Sequence, residues 1–187
     1  MTHKYQYWIP LLGLYTGARL NELAQLEISD INKIDEIWCI CISANGNGQK
    51  LKNVNAERII PIHQHLIDLS FINYVQSRVS EVRLFSGLLT TKGDMPRDGF
   101  GSNVGKWFNR AIKRLGIDNA VFHSFRHTVA DEFKQNNVPE TQAMEVLGHK
   151  SQSITYARYG KDLNLKTQKE TIDNLNFSCV LTTVKKW

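Results

Sequence analysis

The chain has 187 residues, 42% of them hydrophobic and 22% charged, with a formal net charge of +5. That length suffices for one well-buried domain and is tight for two. The apolar content excludes a disordered chain, and no apolar run approaches the roughly 18 residues of a membrane span. The opening MTHKYQYWIPLL lacks the cleavage site and the long apolar stretch of a signal peptide, so an intracellular protein is expected. Three cysteines, Cys39, Cys41 and Cys179, are odd in number and lack the paired spacing of a zinc site. Cys39 and Cys41 read as small buried residues of one strand. The positive excess, with a pI of about 9.1, admits a polyanionic partner without requiring one.

In chain order, Tyr5, Trp8, Leu11, Leu12 and Tyr15 are spaced for one face of a helix over residues 4–15. Thr16-Gly17 interrupts it, and a second helix carries Leu20, Leu23, Ala24 and Leu26. Ile37–Ser43 is rich in β-branched and aromatic residues and precedes Asn45-Gly46-Asn47-Gly48, a strong turn signal. Lys50-Leu51-Lys52 and Arg58-Ile59-Ile60-Pro61-Ile62 follow, which together predict a small antiparallel sheet of about three strands. Residues 64–79 return to helical spacing, and 84–101 are rich in glycine and loop-like. Asn103–Leu115 is the clearest helix. Val104, Trp107, Phe108, Ala111, Ile112 and Leu115 form its apolar stripe, and Lys106, Arg110, Lys113 and Arg114 its basic side, either a solvated face or a phosphate contact. Helical segments are expected at Ser124–Asn136, Pro139–Leu147 (stopped by Gly148), Ser151–Tyr159 and Leu163–Leu175. The tail, Phe177–Trp187, is apolar and β-prone, suited to packing on its own domain or on a neighbour. The expected fold class is mainly α with a small antiparallel β-sheet.

Three stretches carry residues suited to chemistry on an anion. Thr16-Gly17-Ala18-Arg19 sets an arginine at a helix start, with Glu22 three residues on and within pairing reach; an ordinary capped helix with a surface ion pair would look the same. His123-Ser124-Phe125-Arg126-His127 sets His123 and Arg126 one turn apart at a helix N-terminus, where N–H groups and the dipole favour anions and a guanidinium adds parallel hydrogen bonds to phosphate oxygens. His123 and His127 share metal-ligand spacing, but the glutamate of an H-E-x-x-H site is missing and an arginine lies between them, so no metal is expected. Leu147-Gly148-His149 is followed by Thr155-Tyr156-Ala157-Arg158-Tyr159-Gly160-Lys161, which offers a histidine after a helix stop and a tyrosine ten residues later.

No one of these stretches decides, but their order and spacing do. T-G-A-R-L-N-E-L, H-S-F-R-H-T, L-G-H and T-Y-A-R-Y-G-K resemble, in that order, the boxes of the tyrosine recombinases, the phage-integrase family, and the resemblance covers roughly residues 5–170. It implies the catalytic-domain fold of the DNA breaking-rejoining enzymes over residues 1–175, with 176–187 as a tail docking in cis or in trans. It also implies site-specific recombination through a 3′-phosphotyrosyl intermediate. On this resemblance Arg19 and Arg126 clamp the non-bridging phosphate oxygens and Tyr159 attacks phosphorus. His123 accepts the phenol's proton, Lys52 donates a proton to the leaving 5′-oxygen, His149 hydrogen-bonds the phosphate, and Glu22 holds Arg19. The family's lysine lies on a β-hairpin, several residues before a basic-apolar-proline strand, in a pattern often written L-K-x-x-x-S-x-R-x-x-P. Here Leu51-Lys52 and Arg58-Ile59-Ile60-Pro61 fit, but Ala56-Glu57 stands where a serine is common, and Lys50 is the rival. Tyr156 is the rival nucleophile.

Candidate DNA contacts are Lys50, Arg58, Lys106, Arg110, Lys113, Arg114, Lys150 and Arg158. The resemblance further implies no metal, ATP or other cofactor. It implies double-stranded DNA as partner, a homotetramer on two duplexes exchanging strands through a Holliday junction, no membrane association, and a cytoplasmic protein, bacterial or phage-encoded. The family's separate N-terminal core-binding domain has no room before the first arginine box, so the chain is expected to be a fragment, monomeric when alone. Two other functions share these features: a helix-turn-helix DNA-binding module built from Pro139–Leu147 and Ser151–Tyr159, and a type IB topoisomerase. A folded remnant that no longer recombines would carry them as well.

Overall fold

A computed structural model of the chain describes residues 3–51, 56–89, 96–148, 164–177 and 181–187. Its centre is the apolar face of α1 (Tyr5–Thr16). Trp8, Ile9 and Leu12 are fully buried and Tyr15 nearly so, as their three- and four-residue spacing requires. Trp8 packs on Phe71 and Tyr74, with ring centroids 4.9 and 5.6 Å away. Gly17 ends α1 in the left-handed conformation (φ 60°), its N–H donating to the Gly13 carbonyl. The short α2 (Leu20–Ala24) follows. It stops before Leu26, which is buried just beyond its end.

The sheet has three antiparallel strands, β1 (Ile31–Ile34), β2 (Ile37–Ile42) and β3 (Arg58–Pro61), in that order. The strand number is the expected one and one member is not. Lys50 and Leu51 lie outside any strand, and Ile31–Ile34 takes the edge instead. Its hairpin turns at Asp35-Glu36, both at positive φ (46° and 64°), a geometry that usually selects Asn-Gly. Ile31, Ile40 and Ile60 pair in one row across the sheet and face the core; all three are buried. Cys39 is buried as expected and Cys41 half-buried.

The helical stretch expected over 64–79 is two helices, α3 (Gln64–Asp68) and α4 (Phe71–Gln76), broken at Ser70, whose φ is 72°. α5 (Gly101–Arg114) begins two residues earlier than expected and buries Val104. Leu115, expected in its stripe, is 74% exposed, because the helix has ended and Gly116 (φ 69°) turns the chain away. α6 (Ser124–Gln135) packs against α1, and α7 (Glu140–Leu147) against α6 and β3. The helix expected at Ser151–Tyr159 lies outside the described residues. α8 (Leu165–Asp173) lies along β3 and β2. No described helix is long and apolar enough to cross a membrane.

The described tail residues rest on their own domain without forming a strand. Phe177 is buried, and the Trp187 N–H donates to the Leu69 carbonyl at 3.1 Å. The Trp187 ring meets Tyr7, Trp8 and Tyr74 at 5.4–5.9 Å, with the Lys4 ammonium 3.7 Å from its centroid.

A Cβ at Gly17 would sit 2.6 Å from Leu147 Cδ2 in a left-handed backbone, whereas one at Gly116, also left-handed, would meet nothing within 4 Å. Gly116→Ala should therefore cost about 1 kcal/mol from backbone strain alone. Gly17→Ala should cost about 3 kcal/mol, strain and overpacking combined. Denaturant unfolding of the two variants checks this; equal losses would contradict the packing account.

Candidate active site

The T-G-A-R segment is built to break one helix and start another. Thr16 Oγ1 donates to the Leu12 carbonyl and accepts from the Ala18 N–H at 3.1 Å, which turns the chain where α1 ends. Arg19 then takes the extended N-cap position of α2 (φ −71°, ψ 147°). Glu22, at the third helical position, accepts the Arg19 backbone N–H on Oε2 (2.9 Å) and the Arg19 guanidinium on Oε1 (2.8 Å). One carboxylate thus satisfies an orphan donor of the helix start and aims the side chain beside it.

The same carboxylate takes a second guanidinium. Arg58 Nη2 donates to Glu22 Oε2 at 2.9 Å, and both side chains are nearly closed to solvent (7% and 4% exposed). Arg58 also donates through Nε to the Val146 carbonyl and through Nη1 to the Ala56 carbonyl, each at 2.9 Å. Arg126, on the first turn of α6 and 5% exposed, donates through Nη1 to the Gly17 carbonyl (2.9 Å) and through Nη2 to the Leu147 carbonyl (2.5 Å). Two guanidiniums therefore satisfy the consecutive Val146 and Leu147 carbonyls at the end of α7, where a helix leaves acceptors unpaired.

Among the described residues, three guanidinium charges against one carboxylate leave a local balance of +2. Arg126 has, among the described residues, carbonyls for partners and no carboxylate of its own. Burial, and then the charges of Arg19 and Arg58, press its pKa down to about 10, against a smaller upward pull from Glu22. It is still protonated at neutral pH, as a cation in surroundings that favour an added anion. Burial by itself would raise the Glu22 carboxyl. The Arg58 charge and hydrogen bond, with the bonds from Arg19, outweigh burial and hold it below its ordinary value.

His123, the residue before α6, is exposed, its ring 5.1 Å from that of His127 and perpendicular to it. It lines an open cavity of about 250 Å³ with Leu20, Asn109 and Phe122, which places it across that cavity from the residue following Arg19. Of the predicted catalytic residues, Arg19 and Arg126 thus meet around Glu22, while His123, three residues before Arg126, lines a cavity with the residue after Arg19. Lys52, His149 and Tyr159 lie outside the described residues, as do Lys150, Tyr156 and Arg158.

Lys50 is exposed, and its backbone N–H donates to Gln25 Oε1 at 3.0 Å. The neighbouring Gln49 amide donates to the Gln25 carbonyl (3.1 Å) and to Asp30 (2.7 Å), tying this loop to the end of α2. Lys106, Arg110, Lys113 and Arg114 are exposed along α5, whose start is joined to α2 by the Gly101 N–H donating to Asn21 Oδ1 at 3.1 Å. Arg58, expected among the DNA contacts, faces inward, with its guanidinium engaged by the protein itself. Strand alternation carries the signal for this. Arg58 shares a face with Ile60, which is fully buried. The roles of Gln25 and Gln49 have no such signal, because they depend on two loops meeting.

Comparison with known proteins gives a consistent picture. The model of the phage integrase family matches residues 2–165. A XerC-like tyrosine recombinase of Caldanaerobacter subterraneus subsp. tengcongensis is 26% identical over 189 aligned positions, covering 89% of this chain and 48% of that protein. A XerD tyrosine recombinase of Staphylococcus haemolyticus is 29% identical over 147, covering 75% and 44%. The chain thus spans about half the length of the curated relatives it matches. Among solved structures, the integrase of mycobacterium phage Brujita superposes with a TM-score of 0.61 at 19% identity, over 94% of this chain and 53% of that one. The XerH recombinase in its post-cleavage complex with a palindromic difH substrate does so at 0.55 and 20%, over 96% and 44%. These likenesses show a shared fold.

A carboxylate held below its ordinary value of 4.5 stabilises the fold above that pH and ceases to do so as pH falls through its folded value. Glu22→Gln should therefore lower stability at pH 7 by about 3 kcal/mol, leaving buried guanidiniums uncompensated. The gap from wild type should close only as pH falls through the native carboxyl's lowered value, where that carboxyl itself becomes neutral. Denaturant unfolding across pH reads this, and a gap of constant size would show that the charge of Glu22 is irrelevant.

Proposed function

Because the chain belongs to the phage integrase family, we propose that it is the catalytic domain of a site-specific DNA recombinase that cuts and reseals DNA through a phosphotyrosyl bond to Tyr159. The observation that carries this reading is the net-positive cluster of Arg19, Arg58 and Arg126 around Glu22, beside an exposed His123. The relatives named as tyrosine recombinases and the boxes around His149 and Tyr159 support the rest.

A phosphodiester resists attack because its anionic oxygens repel a nucleophile. Arg126, its plane fixed by two backbone carbonyls, and Arg19, aimed by Glu22, would meet the two non-bridging oxygens. Their charge is preorganised for the extra negative charge of the pentavalent state. The Tyr159 phenol, protonated at neutral pH with an ordinary pKa near ~10, loses its proton to His123 as it bonds to phosphorus. The 5′-oxygen leaves with a proton from Lys52, and His149 hydrogen-bonds the phosphate. The phosphotyrosyl ester retains the energy of the broken bond, so a second 5′-hydroxyl can reverse the step on another strand. The exposed cations of α5, with Lys50, Lys150 and Arg158, belong to the same proposal as contacts along double-stranded DNA. So do assembly as a homotetramer on paired sites and action in the cytoplasm. Exchange of the tail between protomers would require Trp187 to leave the rings of Tyr7, Trp8 and Tyr74.

On a nicked recombination-site duplex, whose short 5′ fragment is lost after cleavage, the full-length protein should form an adduct that survives SDS. Tyr159→Phe should abolish it and Tyr156→Phe should not, and the opposite pattern would move the nucleophile. Arg126→Ala should slow adduct formation about 10²-fold or more. Replacing Lys106 and Arg110 together by alanine should reduce the slope of log affinity against log salt by about 2 if both meet phosphate. An unchanged slope would return that face to solvent.

A further inference from the structure

The geometry points to Arg58 as a positioning residue for strand cleavage, one that holds both phosphate-binding arginines in place without touching DNA. This rests on the proposed reading of the cluster as a strand-cutting site.

Arg58 lies where three parts of the chain meet. Its three nitrogens reach Glu22 on α2, Val146 at the end of α7 and Ala56 just ahead of β3, each at 2.9 Å. With Nε, Nη1 and Nη2 each donating to a protein acceptor, its guanidinium is committed to the fold rather than to a backbone phosphate. What it grips is informative. Glu22 Oε2 accepts both the Arg58 guanidinium and the Arg19 backbone N–H, while Oε1 holds the Arg19 guanidinium. Val146 directly precedes Leu147, whose carbonyl anchors Arg126. Loss of Arg58 would let the carboxylate that aims Arg19 rotate, and would loosen the helix end that anchors Arg126. A lysine keeps the charge but cannot serve three acceptors in one plane as the guanidinium fork does.

The glycine of L-G-H fits this role. A Cβ on Gly148 would lie 2.8 Å from Arg58 Nη1 and 3.0 Å from its Cδ and Cζ. The helix that precedes His149 in sequence therefore ends in the one residue that lets the guanidinium pass. Arg58 also pairs in register with Ile42, so its Cα is fixed by the sheet and the reach to Val146 and Glu22 is set by a rigid strand.

The test uses the full-length protein and the nicked duplex described above, in single-turnover cleavage at saturating DNA, below the melting temperature of every variant. Arg58→Met and Arg58→Lys should both cut roughly 10- to 100-fold more slowly, the scale of a small misplacement of catalytic groups. The half-saturating DNA concentration should stay within about 3-fold and the salt slope should be unchanged, since no phosphate contact is lost. Tyr74→Phe removes a buried hydrogen bond to the Leu84 carbonyl and keeps the ring that packs on Trp8. It serves as the destabilised comparator and should cut at the wild-type rate. Where Arg58→Met does not fold, Arg58→Lys decides. A wild-type rate in the Arg58 variants overturns the proposal. So does a salt slope lower by about 0.9 with the saturating rate intact, the mark of a phosphate contact, or an equal slowing in Tyr74→Phe. If the wild-type protein forms no adduct, the functional reading fails and this proposal fails with it. An adduct in wild type with unimpaired Arg58 variants sinks this proposal alone.

Discussion

Among the described residues, the Glu22 carboxylate is the anion that pulls Arg126's pKa up, and its side chain is 4% exposed. An ionised carboxyl that deep would be strongly disfavoured without partners. Two guanidiniums and a backbone N–H supply them, and the site's architecture follows from how those three donors are distributed. The N–H and the first guanidinium belong to Arg19, at the start of α2, while the second guanidinium comes from a strand 36 residues on. Neither local propensity nor the helix cap could hold Arg58 there; the sheet register does. The carboxylate is therefore a tertiary joint as well as a helix cap, and α2, only five residues long, gains from it a fixed orientation that so short a helix lacks by itself.

Around that joint the charges are deliberately unbalanced. A second carboxylate near Arg126 would offset the burial, and with it the repulsion from Arg19 and Arg58, that press its pKa down, and would stabilise the fold. It would also neutralise the field that an incoming phosphate would meet. Using carbonyl oxygens of Gly17 and Leu147 instead fixes the guanidinium's plane while leaving its charge intact. On the proposed reading, such a site trades some folding stability for electrostatic preorganisation.

The legibility of this arrangement in the sequence differs residue by residue. Arg19 and Glu22 are three apart on one helix, and His123 and Arg126 sit on one turn, so periodicity alone sets each pair side by side. The bond between Arg126 and the Gly17 carbonyl spans 109 residues, and no local pattern encodes it; only the ordered boxes of a known family suggested the meeting. Arg58, expected among the DNA contacts, alternates with the buried Ile60 and Ile62, so strand periodicity already sets it on the core side. The missed strand Ile31–Ile34 turns on Asp35-Glu36, a pair that gives no turn signal because neither residue is a glycine. Ser70 broke an expected helix for the same reason: a left-handed backbone at a non-glycine residue is set by its surroundings.

The anchors of Arg126 explain why so much aromatic packing surrounds a helix that carries none of the proposed chemistry. The Gly17 carbonyl is placed by the end of α1, and α1 is placed by Trp8 and Tyr15. Trp8 is wedged among Phe71, Tyr74 and the tail's Trp187. Tyr15 stacks on His63, whose Nε2 meets the Leu175 carbonyl just beyond α8 at 2.9 Å. The segments before and after the proposed nucleophile are thus docked on the same core that holds the first arginine box: α7 through Arg58 and Arg126, and the Leu175 region through His63. A rigid, close-packed interior transmits position over such distances because it does not yield to small displacements. The residues proposed for chemistry, dispersed from Arg19 to Tyr159, need that shared foundation more than they need contact with one another.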